Sequence, residues 1–129
     1  MKYYFKKILE NTNFDHALEA VREALQTEGF GIVFDLDMQA TIKNKLNTDF
    51  RKYRILGACN PPFALRSLQT ESTIGTLLPC NVAIQEWEKD RIEVNIIDPA
   101  MAMQAVENQT MKEIANEIHT KLEKVINNL

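Results

Sequence analysis

Apolar residues recur at three- and four-residue spacing in two stretches of the chain. Phe14, Ala17, Leu18, Val21, Ala24 and Leu25 form one stripe, and Met111, Ile114, Ala115, Ile118, Leu122, Val125, Ile126 and Leu129 form the other. Each stripe falls on one side of a 3.6-residue turn, so both predict long helices with a single buried face. Thr12 and Asp15 make a Thr-x-x-Asp start for the first helix, a weaker relative of the reciprocal capping pattern. Gly29 would stop it in a left-handed turn.

Elsewhere the period is two. Residues 2–9 set aromatic and apolar side chains between lysines, as a strand does. Phe30, Ile32, Phe34 and Leu36 alternate with Gly31, Val33, Asp35 and Asp37, which predicts a half-buried strand. Residues 38–46 are weakly helical, with Ala40, Ile42 and Leu46 out of register. Residues 51–58 read as a strand through Tyr53, Ile55 and Leu56. Asn60 before Pro61 and Pro62 predicts a cap and first turn, with a short helix through Leu65 and Leu68. Val82 and Ile84, then Ile92, Val94 and Ile96, alternate with polar neighbours on either side of Glu88-Lys89-Asp90-Arg91, a charged hairpin connection. Asp98-Pro99 repeats the cap-and-proline pairing before the final helix.

The expected order is strand, helix, strand, small helix, strand, small helix, two strands, long helix. That is α+β: a mostly antiparallel sheet of about five strands, with two long helices on one face and short helical insertions. Val33, Trp87 and Ile97 fall out of phase with the core positions. The second face is therefore expected to be partly apolar and covered by a second copy or a bound ligand.

With 129 residues, 45% hydrophobic and 26% charged, the chain is expected to form a single domain over residues 1–129. Such a chain needs no disulfide or metal to hold a core, and its composition argues against disorder and long coiled coils. No run approaches the ~18 apolar residues of a membrane span, and lysines interrupt the start at once, so neither membrane nor secretory segment is expected. Two cysteines without an export signal imply a reducing cytoplasm and free thiols. Within residues 43–54, Lys43, Lys45, Arg51, Lys52 and Arg54 stand against Asp49 alone, with Phe50 and Tyr53 between them. Such a mixture suits an anionic ligand, and it equally suits a solvated sheet edge. A sequence pI near 5.4 argues against nucleic acid.

The strongest local signal is a pair of segments, Gly57-Ala58-Cys59-Asn60-Pro61-Pro62 and Leu77-Leu78-Pro79-Cys80-Asn81-Val82. Each sets a cysteine before an asparagine, beside proline, at a strand edge. Cys59 at a helix start would have its pKa lowered by backbone N–H groups and the helix dipole. Cys80 shares strand phase with Val82 and Ile84, so it also reads as core. Asparagine next to proline is equally ordinary turn chemistry. His16 and His119 lie on helices at no metal-binding spacing, so neither a zinc site nor a Cys–His nucleophile is expected. Asp35 and Asp37 lack the oxygen neighbours of a calcium loop, and no phosphate loop or hydrolase elbow occurs. No cofactor is expected.

Glu28-Gly29-Phe30-Gly31-Ile32, Gln39-Ala40-Thr41, Tyr53-Arg54-Ile55-Leu56-Gly57-Ala58-Cys59-Asn60-Pro61-Pro62, Leu77-Leu78-Pro79-Cys80-Asn81-Val82 and Ile96-Ile97-Asp98-Pro99 occur in that order. With the closing helix, they resemble over nearly the whole chain the small bacterial and archaeal family catalogued as domain of unknown function 302. The resemblance implies a fold similar to one half of the TATA-box-binding protein, in strand–helix–four strands–helix order, often as a homodimer. It does not imply DNA binding, because a fold does not fix a function. Three readings of function stay open. The first is a homodimeric module that holds a small anionic or thiol-reactive ligand with Cys59, Asn60, Pro61, Cys80, Asn81 and Arg54. The second is a thiol or redox enzyme with Cys59 as reactive thiolate and Cys80 as its partner. The third is a structural or interaction protein whose cysteines only pack.

Overall fold

The computed structural model describes residues 2–129, and its strands form one antiparallel sheet. Strands β1 (Tyr4–Glu10), β2 (Gly31–Asp37), β3 (Tyr53–Cys59), β4 (Cys80–Glu88) and β5 (Arg91–Ile97) lie in the order β1-β5-β4-β3-β2. Helix α1 (Phe14–Thr27) follows β1, and α5 (Gln109–Asn127) closes the chain. Shorter helices α2 (Met38–Leu46), α3 (Pro61–Thr70) and α4 (Pro99–Ala102) fall between strands or before α5, with 3₁₀ turns at Ser72–Leu77 and Met103–Ala105. The α+β order read from the sequence is the order seen.

Register explains where the core sits. Leu56 pairs with Val82 and Val82 with Ile96, while Ile84 pairs with Val94, so these side chains share one face of the sheet. All five are fully buried, together with Ile92. Against them pack the six expected residues of α1 and, from α5, Met111, Ile114, Ala115, Ile118, Leu122, Val125 and Ile126. Leu129 lies just past α5 and is half-buried.

Several local expectations are corrected. The cap of α1 is Asn13, whose side chain accepts from the His16 backbone N–H at 2.8 Å, and not Thr12. Asn60 precedes α3 but makes no side-chain cap; its Nδ2 donates to the Glu28 carbonyl at 3.2 Å, satisfying the end of α1 instead. Along α3, Leu65 and Leu68 face solvent and Ser67 faces inward. The alternation of residues 30–37 does not hold one face. A bulge between Ile32 and Phe34 shifts the register, so Phe30 is buried while Phe34 and Leu36 are 40% and 42% exposed on the side away from the helices. Two pairings do hold: Asp98 accepts from the Ala100 N–H at 3.0 Å ahead of Pro99, and Lys89-Asp90 joins β4 to β5 with Asp90 at φ 64°.

Candidate functional site

Cys59 ends β3 and Cys80 begins β4, beside the Ala58–Cys80 pair, so the two residues lie at the same end of the sheet. They line a hollow with Asn60, Phe30, Phe63 and Ile118, under α3 and α5. That hollow measures about 50 Å³, room for a few water-sized groups and short of the ~300 Å³ of a metabolite pocket. Its walls are apolar. Cys80 is buried, and its pKa is pushed up to about 11, by burial first and by the neighbouring Cys59 second. Cys80 therefore carries its proton at neutral pH, which suits a packing thiol better than a nucleophile. Neither His16 nor His119 lines the hollow: His16 Nδ1 lies 3.3 Å from Asn13 Nδ2, and His119 Nδ1 lies 2.8 Å from Asp98 Oδ1.

The remaining residues of the expected site lie elsewhere. Pro61 is exposed in the first turn of α3. Arg54 shares the helix-side face of β3 with Leu56, and its Nε and Nη2 grip the two Asp35 carboxylate oxygens at 2.7 and 2.6 Å. Arg22 of α1 adds a third contact to Asp35 at 2.7 Å. The Arg54 hydrogen bond and charge, helped by Arg22 and opposed by partial burial, hold the Asp35 carboxyl below its usual range. Arg54 thus ties β3 to β2 and holds Asp35 in place for Arg22, which joins α1 to the sheet. Asn81 follows Cys80 by one residue, so its side chain projects to the opposite face.

That opposite face is where the larger space lies. A cleft of about 460 Å³ runs across β1, β5, β4 and the start of β3, and among the described residues no helix lines it. Ala83 gives the floor its depth. Asn81 and Gln85 from β4, and Glu93 and Asn95 from β5, converge around it, while Tyr3, Tyr4, Tyr53 and Ile97 form the walls. Ala83 pairs with Asn95 and Gln85 with Glu93, so the four sit directly across from one another. Gln85 is only 6% exposed. Arg51 roofs it, donating from Nε to Gln85 Oε1 at 2.9 Å. The Arg51 guanidinium is itself boxed by Trp87, Phe50 and Tyr53, with ring centroids at 4.0, 4.4 and 5.6 Å. Glu93 accepts from Trp87 Nε1 at 3.2 Å and faces Lys6 at 3.7 Å.

Sequence reasoning picked out Asn81, Arg51, Tyr53, Trp87 and Ile97 but not Gln85, Glu93, Asn95, Tyr3 or Tyr4. The available signal was the chemistry of the alternate positions on two neighbouring central strands, where amides and a carboxylate stand in place of the usual lysines and threonines. Beyond the cleft the same face turns apolar. Phe34 lies against Gly57, where any side chain would run into its ring, and Leu36 pairs with the half-buried Ile55. Val33, at the bulge, is 61% exposed.

Among the described residues no group of three or more His, Cys, Asp or Glu could hold a metal ion, and no helix is long and apolar enough to cross a membrane. No curated protein matches the chain. It is similar to an uncharacterized conserved DUF302 protein from Bacillus stearothermophilus, known from a crystal structure. The two are 25% identical and superpose with a TM-score of 0.89 over 99% of this chain and 98% of that one. The family model for the domain of unknown function DUF302 matches residues 5–129, from the second residue of β1 through α5 to the last residue. A sequence match of that span, on a shared fold, places the chain in the DUF302 family.

Proposed function

We propose that this chain is a small-ligand-binding module whose site is the cleft on the uncovered sheet face, and that it works as a homodimer. One observation carries the reading: a recess of about 460 Å³ into which three side-chain amides and one carboxylate converge between tyrosine walls. A space of that size with few, convergent polar groups is what small-molecule sites present. Flat tyrosine faces suit a planar body, and Arg51 with Lys6 near the rim favours a small anion. The cysteine hollow, at about 50 Å³, offers no comparable room. A second copy is favoured by Val33, Phe34 and Leu36, exposed together on the β2 side of the same face.

Benzoate tests the site. Titrated into the ¹⁵N-labelled chain, it is expected to shift the side-chain amide signals of Asn81, Gln85 and Asn95. Ala83→Leu fills the floor from the uncovered face, away from the core, and is expected to abolish those shifts. Shifts confined to the Cys59–Cys80 end, or unchanged by Ala83→Leu, would overturn the assignment. The thiol-enzyme reading makes the opposite prediction, that binding or turnover follows Cys59.

A further inference from the structure

A chain of hydrogen bonds runs from Arg51 into the cleft. Arg51 Nε donates to Gln85 Oε1 at 2.9 Å, and Gln85 Nε2 donates to Asn95 Oδ1 at 3.1 Å. Chemistry fixes its direction. A guanidinium has donors only, so the Gln85 amide must turn its oxygen to Arg51 and its nitrogen to Asn95. Asn95 must then answer with its oxygen, which leaves its Nδ2 hydrogens for the cleft that it lines. Reversing Gln85 would set donor against donor at a side chain only 6% exposed, so burial holds the order in place. The three aromatic rings around Arg51 fix the first member in turn.

We infer that the Arg51–Gln85–Asn95 relay makes this cleft selective for planar ligands that present a hydrogen-bond acceptor, a carbonyl or carboxylate, over ligands that present a donor. The inference rests on the cleft being the binding site. A donor placed against Asn95 leaves two N–H groups facing each other, and rejection through an unpaired polar group is stronger than rejection by shape. Glu93 commits only Oε1, to Trp87 Nε1 and Lys6, so its Oε2 can still meet a ligand donor, and the preference set by the relay is the one exerted at Asn95.

Neutral probes separate hydrogen-bond direction from charge. Acetophenone carries an acceptor and no N–H or O–H; indole carries an N–H donor and no comparable acceptor. Each is titrated into the full ¹⁵N-labelled chain while the side-chain amide signals of Asn81, Gln85 and Asn95 are followed. Acetophenone is expected to bind about tenfold tighter than indole. Gln85→Glu offers oxygens to both Arg51 and Asn95, turns the Asn95 amide over, and is expected to invert the preference. Asn95→Asp presents an oxygen to the cleft without altering Gln85 and gives the same inversion should Gln85→Glu fail to fold. Equal affinities in the native chain, or an unchanged preference in a folded variant, overturn the relay while leaving the cleft as the site. If neither probe moves those signals, relay and site fall together.

Discussion

Burial governs the Cys80 thiol, as its strand phase with Val82 and Ile84 implies. Cys80 is 8% exposed and its pKa stands at about 11, against an ordinary value near ~8.5–9 in the unfolded chain. The folded protein thus holds this proton more tightly. The stability that follows is intact below the unfolded pKa and is lost as pH rises through the folded one. Between pH 8 and 11 the native chain is expected to lose about 2–3 kcal/mol more than Cys80→Ala. Chemical denaturation of both chains across that range measures the difference, and parallel curves would show that the Cys80 thiol does not titrate this way. Asn60 carries a residue-scale correction. Its position before α3 was legible; its bond to Glu28 was not, because nothing local announces a carbonyl 32 residues earlier in the chain. Asn60→Ala is accordingly expected to cost about 1 kcal/mol of stability and to leave benzoate binding unchanged. A loss of binding without a loss of stability would return Asn60 to the site.

Among the elements, α1 and α5 were readable because each keeps one strict period and buries it along the helix, with only Leu129, past the end of α5, left half-buried. Leu122, fully buried on α5, should cost about 2–5 kcal/mol as Leu122→Ala. Leu65→Ala on α3, at a residue 58% exposed, should stay within about 0.5 kcal/mol. Thermal or urea unfolding of the pair tests whether apolar spacing alone is a guide to burial; similar losses would mean that Leu65 is covered in solution. Strand β2 was misread for a definite reason. Alternation predicts a shared face only while register holds, and the bulge between Ile32 and Phe34 moves Phe34 and Leu36 to the far side. Helix α2 has no buried residue at all, which explains its weak apolar pattern. It is held by its ends, with Asp37 accepting from the Ala40 N–H and Asn47 left-handed at φ 50°. Its amides should exchange with solvent far sooner than those of α5, as hydrogen exchange read by NMR would report. Equal protection would mean that another surface covers α2.

For the whole molecule, one-sided coverage was legible from two helical stripes set against about five strands. The contents of the other face were not, since sequence shows which residues alternate but not which strands lie side by side. Asn81, Ala83 and Gln85 line a cleft only because β5 brings Glu93 and Asn95 beside them. The same pairing divides that face in two, a polar cleft over β1, β5 and β4 and an apolar strip over β3 and β2. The strip gives the proposed homodimer its test. Leu36 is 42% exposed and pairs with Ile55, with Phe34 beside them over Gly57, so it lies near the strip's middle and outside the core. A charge there leaves the folded monomer nearly unaffected but must be desolvated in a face-to-face pair, twice over by symmetry. Sedimentation of the native chain is expected to give a dimer, and Leu36→Glu a monomer with unchanged thermal stability at low concentration. Ala83→Leu, in the cleft, should block the ligand and leave the dimer intact. A native chain that sediments as a monomer, or a Leu36→Glu chain that still pairs, would place the contact away from this strip, and the exposed Phe34 and Leu36 would then have to be met by a different kind of molecule.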